Sequence, residues 1–296
     1  MTSRTDILLT AIAPAIWGST YFVTVAFLPD GYPLTVSLLR ALPAGLLLLL
    51  FVRRLPAAGW YGRIFLLGAL NFTIFWTLLF VSAYRLPGGV AATVASVQPL
   101  IVIFFARAAL GTPIRLLAVF AAALGSAGVA TLILTPQASL DPVGVAAGLG
   151  AALSMAAGTV LTRKWKPPVS LLTFTAWQLT AGGLLLLPLA MLIEPPLPDL
   201  TARHIGGLVY LGLIGAALTY GLWFRGVARI EPSAVSVLGF LSPLTAVLLG
   251  WILLDQSLSV LQMMGAATIL ISVWISQNGV GLPGAGKRAS KKVAVG

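Results

Sequence analysis

The sequence predicts an all-α membrane protein of ten transmembrane helices, built as two inverted five-helix repeats with both termini in the cytoplasm. Three observations predict it: apolar segments of about 20 residues, basic residues on alternate loops, and a chain that aligns with its own second half. Hydrophobic residues make up 59% of the 296 residues and charged residues only 8%. A soluble domain exposes too much surface to water to hold that composition, so we place the chain in a bilayer.

Each apolar segment is long enough for one helical crossing. A helix needs about 20 apolar residues to cross the hydrocarbon layer, whereas a barrel strand needs about 9 to 11 of alternating polarity. The segments here do not alternate, and the first of them lacks a signal-peptide cleavage site. The ten predicted helices cover residues 6–27, 34–52, 63–83, 89–109, 114–134, 143–162, 169–192, 204–224, 232–254 and 258–276.

The basic residues set the predicted orientation, because Lys and Arg concentrate in cytoplasmic loops. With the N-terminus inside, Arg85 and Arg203 fall outside, Arg40 lies within the second helix, and the other 15 of the 18 basic residues are cytoplasmic. The predicted location is the inner (plasma) membrane, where helical bundles rather than barrels are the rule. The Gly-rich, basic segment 278–296 is predicted to be a disordered cytoplasmic tail that contacts anionic lipid.

The two halves of the chain align with each other. Residues 62–123 align without a gap with the residues 144 positions later, so that Trp76 meets Tyr220 and Arg85 meets Arg229. Five helices in each half force the halves into opposite orientations, which is the architecture of many secondary transporters. The predicted units are a first repeat over 1–137 and a second, inverted repeat over 138–277.

The composition disfavours several other classes of protein. There is no cysteine, one histidine (His204) and seven acidic residues, so we expect no enzyme activity, no cofactor and no metal site. The net charge of +11 is divided among loops between apolar segments, so nucleic acid is not an expected partner. An inverted repeat disfavours a channel, and the lack of a soluble domain disfavours a sensor.

Two prolines are the predicted hinges for gating. Pro99 and Pro243 lie 144 residues apart, inside the fourth and ninth predicted helices. A proline within a helix frees the carbonyl four residues earlier, here that of Ala95 or Gly239, and creates a bend. The alternative is a static kink without a role in motion.

Polar and aromatic residues at membrane depth are the candidate substrate-binding residues. A polar side chain in hydrocarbon needs a partner, so we expect these to face a neighbouring helix or a water-filled cavity. Aromatic rings inward of the interfacial belts can offer a substrate an apolar face. Helix packing is the alternative role for each of them. The candidates are Trp17, Ser19, Thr20, Asn71, Trp76, Gln98, Trp177, Gln178, Tyr220, Trp223 and Ser242.

Arg40 is the one charge that the sequence places deep in a predicted helix. It can snorkel to the interface, pair with another group or contact an anionic substrate. No Asp or Glu lies deep in a predicted helix, whereas proton- and sodium-coupled carriers usually keep a carboxylate there. We therefore predict an uncoupled facilitator or exchanger whose cavity, without fixed charge, suits a neutral or zwitterionic solute.

Several motifs resemble the EamA family of the drug/metabolite transporter superfamily. The run Trp17-Gly18-Ser19-Thr20-Tyr21 is similar to that family's opening motif, and Arg40 stands where the family often carries an arginine. Asp255, Gln262 and Gly265 are similar to the family's pattern after the ninth helix. The resemblance covers the whole chain and implies metabolite export, with amino-acid exporters of the YddG type as the nearest kind.

The expected function is export of small zwitterionic or neutral metabolites by alternating access. Amino acids, including aromatic or hydrophobic ones, are the cargo that the resemblance implies. The alternative is efflux of drug-like aromatic cations, which aromatic faces can bind. Gly144 and Gly148 have the spacing that favours close helix contact, within one chain or across a dimer. A monomer is expected, with membrane lipids as its other partners.

Overall fold

The computed structural model describes residues 4–86, 88–133, 141–253 and 258–279, and it shows helices and no β-strand in those segments. Ten helices in them are long and apolar enough to cross a membrane, which confirms the predicted multi-pass, all-α architecture. Three predicted features lie outside the described residues: the boundary between the two repeats at 137/138, most of the C-terminal tail, and Asp255. The helices are α1 (Arg4–Phe27), α2 (Pro33–Val52), α3 (Ala58–Arg85), α4 (Val90–Leu110), α5 (Leu116–Ile133), α6 (Pro142–Lys164), α7 (Leu171–Ile193), α8 (Ala202–Arg229), α9 (Pro232–Leu253) and α10 (Val260–Gly279).

The predicted helix ends differ from the observed ones by at most five residues, at the start of α3 (63 against 58) and the end of α8 (224 against 229). At the start of α3, the Arg63 guanidinium lies 5.2 Å from the Trp60 ring, so this turn is amphipathic rather than apolar. At the end of α8, Arg225 and Arg229 bond to Asp6. Their charges therefore do not mark the end of the helix.

Side chains cap the starts of several helices. Asp141 accepts the Gly144 N–H at the start of α6, and Ser170 accepts the Thr173 N–H at the start of α7. Helix α2 begins with Pro33 and has no cap from its own sequence. The Glu194 carboxylate, at the end of α7, instead accepts the N–H groups of residues 34 and 35 at 2.6 and 2.7 Å. These contacts satisfy amide groups that a helix start leaves unpaired.

Helices α2 and α7 cross in close contact. A Cβ at Gly45 would lie 2.5 Å from the Thr180 backbone nitrogen, and a Cβ at Gly183 would lie 2.6 Å from Leu42 Cβ. Small residues let helix backbones approach in this way. The two contacts correspond, because Gly183 follows Gly45 by 138 residues and Thr180 follows Leu42 by the same number.

Four of the helices are interrupted near their middle. Helix α3 contains a π-helical segment over Ala69–Thr73, and α8 contains one over Leu213–Leu218; the two begin 144 residues apart. Helix α4 is broken at residues 96 and 97, just before Pro99, and α9 passes through a 3₁₀ turn over Leu238–Phe240 before Pro243. Such interruptions release backbone groups from the regular helix pattern.

Two groups of ion pairs lie at opposite ends of the bundle. We call the end that carries loops 53–57, 111–115 and 165–170 the basic end, and the other the acidic end. At the basic end, Asp6 of α1 lies 2.8 Å from Arg225 and 3.0 Å from Arg229, both in α8. At the acidic end, Arg85 of α3 lies 3.8 Å from Asp141, the cap of α6.

Candidate functional site

Six aromatic rings from three helices meet at the centre of the bundle. This central aromatic cluster comprises Trp17 of α1, Phe72 and Trp76 of α3, and Tyr220, Trp223 and Phe224 of α8. The Tyr220 ring is its hub, with centroid distances of 4.7 Å to Phe72, 5.0 Å to Trp17 and 5.7 Å to Phe224. Apart from Trp17, which is half-buried, the members are buried.

The interrupted helices bring these rings together. Phe72 lies within the π-helical segment of α3 and Trp76 follows one turn later, while the three rings of α8 follow its own π-helical segment. Trp76 and Tyr220, which the sequence alignment pairs, lie 6.4 Å apart with their ring planes at 71°. The two halves therefore contribute corresponding positions to one cluster.

Arg40 borders this cluster in the bundle interior. Its guanidinium lies 5.3 Å from the centre of the Trp76 ring, and its Nη2 donates a 2.6 Å hydrogen bond to the Gly215 carbonyl in the π-helical segment of α8. The residue is 9% exposed. Of the roles left open for Arg40, these contacts favour pairing inside the bundle over snorkelling, because the guanidinium finds an aromatic face and a carbonyl there. They also place a fixed charge beside the central aromatic cluster, where the sequence predicted none.

The same carbonyl links Arg40 to Trp17. The Thr219 hydroxyl donates to the Gly215 carbonyl at 2.8 Å and accepts the Trp17 indole N–H at 2.9 Å. This chain of hydrogen bonds joins α1, α2 and α8 on one side of the cluster. It fixes the orientation of the Trp17 ring, which touches both Tyr220 and Trp223.

Asn71 and Gln178 form a second polar junction, with Thr162. The Asn71 amide donates to Gln178 Oε1 at 2.9 Å and to the Thr162 hydroxyl at 3.1 Å, and that hydroxyl lies 3.2 Å from the same oxygen. Both amides are fully buried. Asn71 Oδ1 and Gln178 Nε2 have no hydrogen-bond partner among the described residues. The junction joins α3, α6 and α7, and it leaves one buried acceptor and one buried donor without a partner among the described residues.

Four other predicted residues lie on α1, α4 and α9. The Ser19 hydroxyl shares a 2.7 Å hydrogen bond with the Tyr210 hydroxyl of α8. A Cβ at Gly18 would lie 2.5 Å from the Ser242 carbonyl oxygen, so Ser242 marks the crossing of α1 and α9. Thr20 Oγ1 and Gln98 Nε2 are buried and have no hydrogen-bond partner in the described part of the chain.

Trp177 lies apart from the central aromatic cluster. Its indole donates a 2.6 Å hydrogen bond to the Arg54 carbonyl, in the loop after α2 at the basic end. Its ring packs among buried residues of α3 and α7, including Leu67 and Phe174. Adjacent residues of one helix point in different directions, so Gln178 faces the amide junction and Trp177 does not.

Both predicted hinge prolines follow a break in their helix. Pro99 is the second residue of the helical segment Gln98–Leu110, and Pro243 is the third of Leu241–Leu253. The Ser126 hydroxyl of α5 donates a 2.8 Å hydrogen bond to the Ser96 carbonyl at the first break. The breaks divide α4 and α9 into two helical segments each.

Sequence reasoning missed Phe72, Phe224 and Tyr210. Phe72 precedes Trp76 by four residues, and Phe224 follows Tyr220 by four. Side chains at that spacing lie on the same face of a helix, so the spacing was an available signal. Tyr210 had no such signal, because its role depends on the approach of Ser19 from α1.

Comparisons with known proteins agree with this architecture. A model of the EamA-like transporter family matches residues 4–134 and again 142–277. Protein PecM of Dickeya dadantii is 49% identical over 90% of each chain. A WAT1-related chloroplastic protein of Arabidopsis thaliana is 30% identical, over 88% of this chain and 66% of that protein.

Two further similarities concern a bacterial transporter and a solved structure. The uncharacterized inner membrane transporter YedA of Escherichia coli (strain K12) is 29% identical, over 87% of this chain and 86% of that protein. A protein crystal structure with 20% identity has a TM-score of 0.79 and covers 93% of this chain and 99% of its own. At that identity the likeness shows the fold alone.

Proposed function

Because the chain belongs to the EamA-like transporter family, we propose that it exports small zwitterionic or neutral metabolites, amino acids first among them, across the inner membrane. One observation carries the choice of substrate: the central aromatic cluster has a buried guanidinium at its edge, 5.3 Å from the Trp76 ring. Aromatic faces suit an apolar side chain, and a guanidinium suits a carboxylate. An α-amino acid with an apolar side chain carries both groups.

The charge at the cluster also separates this proposal from its alternative. A drug-like aromatic cation would bind to ring faces. The Arg40 guanidinium already lies over the Trp76 ring, and like charges repel in an interior of low dielectric constant. The cluster therefore favours a solute that carries a carboxylate over a cation.

We infer that the two halves are inverted repeats, with units over 1–137 and 138–277. One family model matches both halves, and the two π-helical segments begin 144 residues apart. The crossing of α2 and α7 uses corresponding contacts around Gly45 and Gly183. These correspondences support a pseudo-two-fold axis between the halves, with the central aromatic cluster near it. Two related halves can exchange their arrangements, which is the basis of alternating access.

The ion pairs at the two ends support a correspondence between the two halves. Asp6, at the start of the first helix of the first half, pairs with Arg229, at the end of the third helix of the second half. Asp141 and Arg85 form the corresponding pair with the two halves exchanged. The N-terminal segment of α9 also packs against the C-terminal segment of α4 at the basic end, where Val237 and Ile103 share a cluster. We assign this arrangement to a state closed at the basic end, which the positive-inside rule places in the cytoplasm.

Counterflow in proteoliposomes tests the proposal directly. The vesicles are loaded with an unlabelled amino acid, and entry of labelled L-phenylalanine, L-leucine or L-alanine is followed without an ion gradient. We expect saturable entry of apolar amino acids that persists with a protonophore. Folded protein that moves none of them would contradict the amino-acid assignment, and entry of a labelled aromatic cation in its place would support the alternative.

A further inference from the structure

A cavity of about 240 Å³ opens at the basic end between α6, α7 and α8. It is smaller than the roughly 300–1,000 Å³ pockets that hold drug-sized molecules, so its size fits a solute such as an amino acid. Its wall includes the apolar side chains of Val169, Phe174, Phe224 and Ala228. Arg40 is not among the residues that line the cavity.

One basic side chain lies at the rim of this cavity. Lys166 lines it, is exposed, and forms no ion pair with a described residue. Leu171, the first residue of α7, lines it too, and the start of a helix carries a partial positive charge. An ammonium group and a helix start together favour a carboxylate at the rim.

The inner wall of the cavity belongs to the site described above. Thr162 lines the cavity and bonds to both Asn71 and Gln178. Phe224 also lines it, and its ring lies 5.7 Å from Tyr220 and 6.4 Å from Phe72. The Phe224 ring is thus shared by the wall of the cavity and the central aromatic cluster.

We propose that this cavity is the docking site for an amino acid that arrives at the basic end, with its carboxylate at Lys166 and its apolar side chain against Phe174 and Phe224. The inference rests on the proposed function, because it assumes an amino-acid substrate and a cytoplasmic basic end. It adds a site for recognition before the substrate reaches Arg40 and the other five rings of the central aromatic cluster. Phe224 is the ring that moves aside to admit it.

Sided transport with matched variants tests the docking site. Inside-out membrane vesicles present the basic end to the medium. The KM for labelled L-phenylalanine is compared with that for labelled L-phenylalaninamide, a poorer expected substrate that keeps the ring and lacks the carboxylate. Lys166→Gln is expected to raise the KM for the amino acid about 3-fold at low salt and to leave the KM for the amide unchanged. Lys166→Arg is expected to restore the wild-type value, and Lys164→Gln, an exposed lysine outside the cavity, to have no effect.

A second pair of variants changes the volume of the cavity rather than its charge. Ala228→Leu fills part of the cavity and is expected to raise the KM for L-phenylalanine about 10-fold. A change of this size corresponds to a loss of about 1.4 kcal/mol of binding free energy. The KM for L-alanine, which needs less space, should change little. Ala57→Leu adds the same side chain to an exposed loop position and should be neutral.

Each outcome decides something different. Wild-type transport of L-phenylalanine with the same KM in Lys166→Gln and Ala228→Leu would overturn the docking site and leave the proposed function intact. An equal rise for the amino acid and its amide in Lys166→Gln would also overturn it, because the effect would not depend on the carboxylate. Wild-type vesicles that carry no amino acid would remove the proposed function and the docking site together.

Discussion

Arg40 and Gln178 hold corresponding junctions in the two halves of the chain. Arg40 of α2 bonds to Gly215 in the π-helical segment of α8, and Gln178 of α7 bonds to Asn71 in the π-helical segment of α3. Gln178 follows Arg40 by 138 residues and Gly215 follows Asn71 by 144, the two offsets of the sequence alignment. One junction is charged and the other is neutral, so the symmetry of the fold does not extend to its charge.

This difference leads to a prediction for Arg40→Gln. Glutamine keeps a polar amide at this position, as Gln178 does in the other half, so we expect the variant to fold. Loss of the guanidinium removes a charge-assisted partner of the substrate carboxylate, worth about 1.5–3 kcal/mol. The kcat/KM for L-phenylalanine in counterflow should fall at least about 10-fold, and transport of L-phenylalaninamide should not. Equal losses for both solutes would show that Arg40 acts on the structure alone.

The central aromatic cluster predicts a selective loss when its rings are removed. Trp76→Leu and Tyr220→Leu are each expected to raise the KM for L-phenylalanine about 3- to 10-fold, from a ring interaction of about 0.5–1.5 kcal/mol. The KM for L-alanine should rise less, because it has no ring to stack. Trp177→Leu is the control, since this tryptophan is buried outside the cluster. If all three variants changed both KM values alike, the cluster would not be a binding surface.

The ion pairs of Asp6 predict a shift in accessibility at the basic end. The chain has no cysteine, so Val237→Cys introduces a single thiol at a position that is 1% exposed. Adding Asp6→Asn to this variant removes both ion pairs with α8. If they stabilise the closed state by about 1 kcal/mol, a membrane-impermeant thiol reagent should label the cysteine about 5-fold faster. Asp30→Asn, in a loop at the acidic end, is the control and should leave the labelling rate unchanged. Unchanged labelling would show that these ion pairs do not hold the basic end closed.

The contact between α3 and α6 predicts a loss of stability. A Cβ at Gly158 would clash with the Asn71 amide, much closer than van der Waals contact allows. Gly158→Ala should therefore lower the Tm in detergent, with an overpacking cost of about 1–3 kcal/mol. Gly221→Ala is the matched control, because a Cβ there has open space and alanine favours the helix by up to about 1 kcal/mol. A Tm equal to or above the wild-type value for Gly158→Ala would contradict the observed contact.

Much of the fold could be predicted because a bilayer limits the possible structures. Helix α2 was predicted over 34–52 and observed over Pro33–Val52, since its apolar run has the length that the hydrocarbon layer requires. The charged ends of α3 and α8 were less predictable. Arg225 and Arg229 form ion pairs with Asp6, and a hydropathy pattern does not contain a partner from another helix.

The candidate site was harder to predict than the fold. Trp76 and Tyr220 could be paired from the repeat, and the structure brings them together. Trp177 looked equivalent by depth, yet it faces the basic end, because depth in the membrane does not give the direction of a side chain. For Arg40, snorkelling remained a possible role at the sequence level. Its actual partners are a carbonyl of α8 and a ring of α3, and neither is near it in the sequence. A sequence pattern alone does not show which distant helix lies beside a residue.

The π-helical segments carry a consequence for the ancestry of the chain. A π-helical turn accommodates one extra residue, and one residue rotates the rest of an α-helix by about 100°. Removing either insertion would turn Trp76 or Tyr220 away from its partner. Under the proposed repeat, segments that begin at corresponding positions in α3 and α8 were inherited from a single ancestral half.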